Sequence, residues 1–182
     1  MEETTTPVDE PYRFVPIAAA AAKSLILDSK ILLRINDLRD LNMSPIWSRN
    51  GSPVSQSMHP SETVLAILAS ANGLPLSPVQ LQKAAFLLER NGVASGFHFR
   101  PYDYGPFDRA VYDEAAALAD RGLVSISPAQ WGRWNVYAAT EEGINAGQAL
   151  LERLPANHAS YVRDVVAWVR NQSFASLVKS IY

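Results

Sequence analysis

Cysteine is absent from all 182 residues. That excludes disulfides, thiolate nucleophiles and zinc sites built on Cys, and it is compatible with a reducing, cytoplasmic setting. Histidine is scarce. His59, His98 and His158 stand far apart and none falls in an HExxH spacing, so no metal site is expected. Neither sign of charge dominates: 16 Lys+Arg against 18 Asp+Glu give a net charge of −2 and a pI of about 5.9. A chain that lived by gripping phosphates would be more basic. No apolar run approaches the roughly 18 residues of a membrane span. The run Ile17–Ala22 lacks the charged start and cleavage pattern of a secretory signal. No serine lies in a GxSxG setting, and no glycine cluster is built to cradle phosphate. The adjacent carboxylates Asp113-Glu114 and Glu141-Glu142 do not face each other on a helix and form no acid–base couple. The expectation is a protein without catalytic residues, cofactor or metal.

Apolar residues make up 48% of the chain, enough for a packed core. Residues 1–16 carry Pro7, Pro11, Pro16 and a TTT tract, and read as a flexible tail. Residues 17–41 read as a helix, with Leu25, Ile26, Leu32, Ile35 and Leu38 on one face. Residues 42–60, rich in Ser, Pro and Asn, read as a linker. Met58 stands just before the compact part, so the first 57 residues look like an extension. From residue 61 to 182 the pattern tightens into one domain. Ser61 is positioned to cap a helix that Asn72-Gly73 ends, and Ser77-Pro78 opens a second, VQLQKAAFLLER. Two strands, 123–127 and 134–139, form a hairpin. Thr140 caps a helix that Pro155 stops; further helices follow at 157–171 and from Ser173.

The stretch between, FHFRPYDYGPFDRAVYDEAAALADRGL, organises the rest. Phe97, Phe99 and Pro101 alternate with His98 and Arg100, the period of a half-buried strand. Tyr102 and Tyr104 continue that extended path. Gly105-Pro106 then separates strand from helix. Phe107, Val111, Ala115 and Leu118 define the buried face of a helix from Phe107 to Arg121, with Gly122 as its C′ residue. Helix, helix, strand, helix, strand, strand is the order of a winged helix. The expected class is mainly α (α+β), a winged-helix-like core with a β-hairpin wing and extra C-terminal helices.

The segments LQKAAFLL (81–88), YDYGPFDRAVYDE (102–114), LADRGLV (118–124) and YAATEEG (137–143) resemble the Panacea superfamily of SocA-like antitoxins and phage-associated proteins. The uncharacterised YwgA-like branch is the nearer likeness. The resemblance covers about Ser61 to Tyr182, roughly two-thirds of the chain. It implies an interaction domain that binds a toxin or presents a partner to a protease. Ala84 and Ala85 depart from the larger apolar residues usual after LQK. The closing SLVKSIY looks like the family's last helix, which often runs on into a proline.

Lys83 reads either as the partner of a ligand anion or of Asp103, or as a surface lysine or one bonded to backbone carbonyls near Gly105. Tyr104 and Phe107 are expected to wedge the core, and Tyr102 is open to a partner. His98 alternates with the phenylalanines and should face solvent or a partner. The candidate contact set is Lys83, His98, Arg100, Tyr102, Asp108, Arg109, Trp131 and Arg133.

Two functions follow. One is a module that binds a protein partner, toxin-like or a protease adaptor. The other is a DNA-binding autoregulator that forms a homodimer through Val162, Val165, Trp168 and Val169. Nucleic acid is disfavoured because the helix Phe107–Arg121 carries Asp108, Asp113, Glu114 and Asp120 against Arg109 and Arg121. From Met58 onward ten Lys+Arg meet eleven Asp+Glu, with no basic stripe. A dimer that concentrates Arg100, Arg109 and Arg133 on one surface keeps that reading open.

Overall fold

A computed structural model describes residues 57–130, 132 and 134–180. The expected tail at 1–16, the helix at 17–41 and most of the linker at 42–60 lie outside the described residues, as do Trp131 and Arg133. The described fold is mainly helical with a small two-stranded antiparallel sheet. In chain order the elements are α1 (Pro60–Ser70), α2 (Pro78–Arg90), α3 (Ala110–Asp120), β1 (Val124–Pro128), β2 (Asn135–Ala139), α4 (Glu141–Arg153), α5 (Ala156–Asn171) and α6 (Phe174–Lys179).

The first helix is the centre of the fold. All seven residues from Thr63 to Ala69 are buried, so α1 is covered on every side by α4, α3, α2, α5 and β2. Pro60, not Ser61, starts it. The ring of Pro60 presets φ for the first turn, and the Glu62 carboxylate accepts the N–H of the N-cap His59 at 3.1 Å. The domain therefore begins earlier than residue 61. Met58 is part of it, bridging Val93 and Ser95 through backbone hydrogen bonds of 2.9 Å.

The other caps follow the sequence closely. Ser77 and Gln80 form a reciprocal capping box ahead of Pro78. Thr140 Oγ1 accepts from Gly143 N–H at 3.1 Å, and Ser173 Oγ from Ser176 N–H at 3.1 Å. Gly122 ends α3 at φ +75°. Its N–H meets Ala119 O while the N–H of Leu123 reaches Leu118 O, the paired bonds of a Schellman stop.

Four expectations change. Residues 97–101 form no strand; Phe97 is buried and Phe99 partly so, but the only pairing is a bridge from Arg100 to Phe107. Tyr102 to Gly105 is a turn closed by Gly105 N–H on Tyr102 O at 2.9 Å, with Gly105 at φ +100°. The helix after it starts at Ala110, because Phe107 spends both backbone groups on Arg100. Val162, Val165, Trp168 and Val169 of α5 are buried in this chain's own core. A homodimer through them is overturned, since exposing them would unpack α5.

The tightest helix contact is between α1 and α4. A Cβ at Gly147 would lie 2.3 Å from Ala69 Cβ and 3.2 Å from Leu65 O. Alanine in an open helix position stabilises by about 1 kcal/mol over glycine. At Gly147 the sign should reverse. Urea unfolding of Gly147→Ala is expected to show a loss of about 1–3 kcal/mol, and a gain would contradict this packing.

Candidate functional site

One stripe of α2 faces the connector that runs from Gly96 to Arg109. Gln82, Phe86 and Glu89 recur at i, i+4 and i+7, and Lys83 flanks them. Gln82 is buried and clamps one residue from both sides: its Nε2 donates to Asp108 O at 2.8 Å, and its Oε1 accepts from Asp108 N–H at 3.1 Å. Lys83 Nζ donates to Tyr104 O at 2.6 Å. Phe86 meets Phe99 edge to face, with centroids 5.4 Å apart. Burial pushes the Glu89 carboxyl above its ordinary range, opposed by hydrogen bonds from the backbone of Phe97 and Gly96. The Asp108 carboxylate adds two more ties, one to His98 N–H and one to Ala110 N–H at 2.9 Å, which helps to start α3.

These bonds hold the Tyr102–Phe107 turn above the N-terminal half of α2 and open a cleft of about 490 Å³. Ser77, Pro78, Val79, Gln82 and Lys83 line it from α2 and its cap. Tyr102 and the run from Tyr104 to Phe107 supply a second wall, Tyr112 comes from α3, Trp134 from the hairpin and Phe174 from α6. A row of rings runs through it. Tyr102 lies 5.2 Å from Phe107, Phe107 lies 5.8 Å from Tyr112, and Tyr112 stacks on Tyr137 at 5.7 Å. Tyr104 meets Phe174 edge to face at 5.3 Å. At the rim Tyr102, Tyr104, Trp134 and Phe174 are 54–58% exposed. Large apolar rings left in water around a concavity mark a binding surface more often than they serve stability.

Lys83 is 1% exposed. Burial lowers its pKa from 10.5 to about 8, because the charged form loses hydration that one carbonyl only partly replaces. Among the described residues its partner is Tyr104 O, not the Asp103 carboxylate. The backbone-carbonyl reading of Lys83 is therefore the observed one.

Of the expected contact residues, the structure brings Lys83 and Tyr102 together in the cleft. His98, Arg100, Asp108 and Arg109 sit on the connector or at the start of α3, outside the lining. Asp108 is a structural tie. Arg109 is exposed and pairs with Asp113 at 3.4 Å, a surface bridge worth little. Trp131 and Arg133 are not among the described residues. Tyr104, expected to be a core wedge, contributes its carbonyl to the fold and its ring to the rim. Sequence reasoning missed Gln82, Tyr112 and Phe174. Gln82 offered one signal, a polar residue between Leu81 and Lys83 just before the apolar run Ala84–Leu88. No sequence signal brings α6 next to the Tyr104 turn.

Two measurements check this construction. Gln82→Met leaves the Asp108 N–H and C=O without partners and should cost about 2–4 kcal/mol in urea unfolding; a loss below 1 kcal/mol would contradict the clamp. Lys83 should make stability depend on pH. Below pH 8 both folded and unfolded chains hold its proton, and the burial cost is fully present. Between about 8 and 10.5 the unfolded chain binds more protons, so stability should rise with pH, by at most about 3 kcal/mol. Burial also raises the Tyr112 phenol, to about 12; it and the other buried phenols act in the opposite direction only above about pH 10. Melts between pH 8 and 10 should therefore show a rise in the wild type that Lys83→Met lacks.

Among the described residues, no group of three or more His, Asp or Glu side chains is placed to hold a metal. No helix among them is long and apolar enough to cross a membrane. Comparison of this chain with protein-family models, with curated proteins and with solved structures finds no match.

Proposed function

We propose that this chain is a non-enzymatic, winged-helix-like interaction module of the Panacea kind, cytoplasmic, and antitoxin-like or adaptor-like in use. It seats a protein partner in the aromatic cleft. The carrying observation is the set of four half-exposed rings, Tyr102, Tyr104, Trp134 and Phe174, around one concavity. Tyr and Trp in this setting supply large contact area at low entropic cost and dominate interface energetics.

The motif pair supports the family likeness. Gln82 and Lys83 of the LQK element bond to Asp108 and Tyr104, within and beside the YGPF element. Residues far apart in sequence thus act as one unit. The element order α1, α2, α3, β1, β2 supports a winged helix with the hairpin as wing. A partner-binding role accords with a cleft whose lining, among the described residues, holds one formally charged side chain. Charge opposes the DNA-binding alternative: Asp113 and Asp120 are exposed on α3, the helix that would enter a groove.

Affinity capture from nuclease-treated lysate of the source cells tests this, with the wild type and a Tyr102→Ala/Trp134→Ala double variant side by side. Both rings are more than half exposed, so the variant should keep its melting temperature. A protein held by the wild type should bind the variant about 10–100-fold more weakly. Equal retention by both, or retention that the nuclease abolishes, would contradict the proposal.

A further inference from the structure

Lys83 carries three N–H donors, and one of them, to Tyr104 O, is answered among the described residues. The ammonium is nearly sealed from water, and among the described residues no Asp or Glu lines the cleft. A buried cation without a counter-charge is costly, and partial hydrogen bonding relieves it only in part. Among the described residues the site is short of one negative charge and of acceptor oxygens, while its walls are aromatic and apolar.

We infer that the cleft takes an extended peptide segment in which an Asp or Glu side chain sits between proline, aromatic or aliphatic residues. The inference rests on the cleft being a protein-binding surface, and it names the chemistry of the partner. The carboxylate bonds Lys83 Nζ, a charge-assisted contact stronger than the neutral carbonyl bond already there. It reaches Lys83 from the cleft, which that side chain lines. Flanking apolar residues then lie against Trp134, Phe174 and the Phe107–Tyr112 pair. The volume of about 490 Å³ suits a short segment and not a folded surface. The buried ammonium also sets selectivity, because a partner that offered an amide in place of the acid would leave the charge uncompensated.

The test uses the full chain and a library of end-blocked peptides with flanks drawn from Pro, Tyr, Phe and Leu. The central residue is fixed as Asp, Glu, Asn or Gln, and affinity is read by fluorescence anisotropy. Acid members should bind at least about tenfold tighter than their amide counterparts at pH 7. That ratio should fall as the pH passes 8 and should approach one in Lys83→Met, whatever the absolute affinities. Equal affinity of acid and amide members overturns the inference, as does a ratio that survives Lys83→Met or an absence of saturable binding by any member. If acid and amide members bind equally and both are lost with Tyr102→Ala/Trp134→Ala, the cleft is a peptide site without acid selectivity. If that double variant also keeps the captured partner, the cleft is not the interface and both readings fall.

Discussion

The grip of α2 on the connector is the constraint from which the rest of the molecule follows. Residues 96–109 make no regular secondary structure of length, so their backbone groups need partners from elsewhere. Gln82, Lys83 and Glu89 provide them from a single helical stripe. Held in this way, the connector places the Tyr102–Phe107 turn over α2, lets Asp108 start α3, and leaves a hollow beneath the turn. Buried α1 supplies the rigid floor against which α2 and α3 are fixed. The cleft is thus a product of polar bonding on an otherwise apolar helix.

This division explains how far residues alone could foretell the structure. The caps at Ser77, Thr140 and Ser173 and the stop at Gly122 were readable because each depends on two or three neighbouring residues. The hairpin and the stripe of α5 were readable from period. Phe97-His98-Phe99-Arg100 has the alternation of a strand, yet it forms none: pattern specifies which side is buried, and a strand also needs a partner edge. Phe107 fits the helical face of Val111, Ala115 and Leu118, but its backbone is committed to Arg100. Lys83 and Tyr102 were identifiable as candidates. Their companions Trp134 and Phe174 come from elements brought near by tertiary packing, which no local rule foresees. The valines of α5 show the converse error, an apolar stripe offered to a second copy and used instead by the chain itself.

The chemistry of the cleft accords with recognition. Among the described residues its lining combines exposed rings, suited to shape and contact area, with one cation largely removed from water. Such an ammonium costs stability in the free protein. In the proposed reading, stability and selectivity are coupled through the same side chain. The acidic surface of α3 and the weak Arg109–Asp113 bridge stand apart from this surface and fit a solvated face.

Hydrogen exchange on the chain alone and with its captured partner tests the central claim most directly. Slowing on binding should be confined to residues 77–83, 100–109, the start of α3 near Tyr112, the hairpin around Trp134 and α6 near Phe174, the segments that wall the cleft. Protection that appeared instead along the exposed side of α3, with exchange in 100–109 unchanged, would show that the partner docks elsewhere and that the cleft is not the working surface.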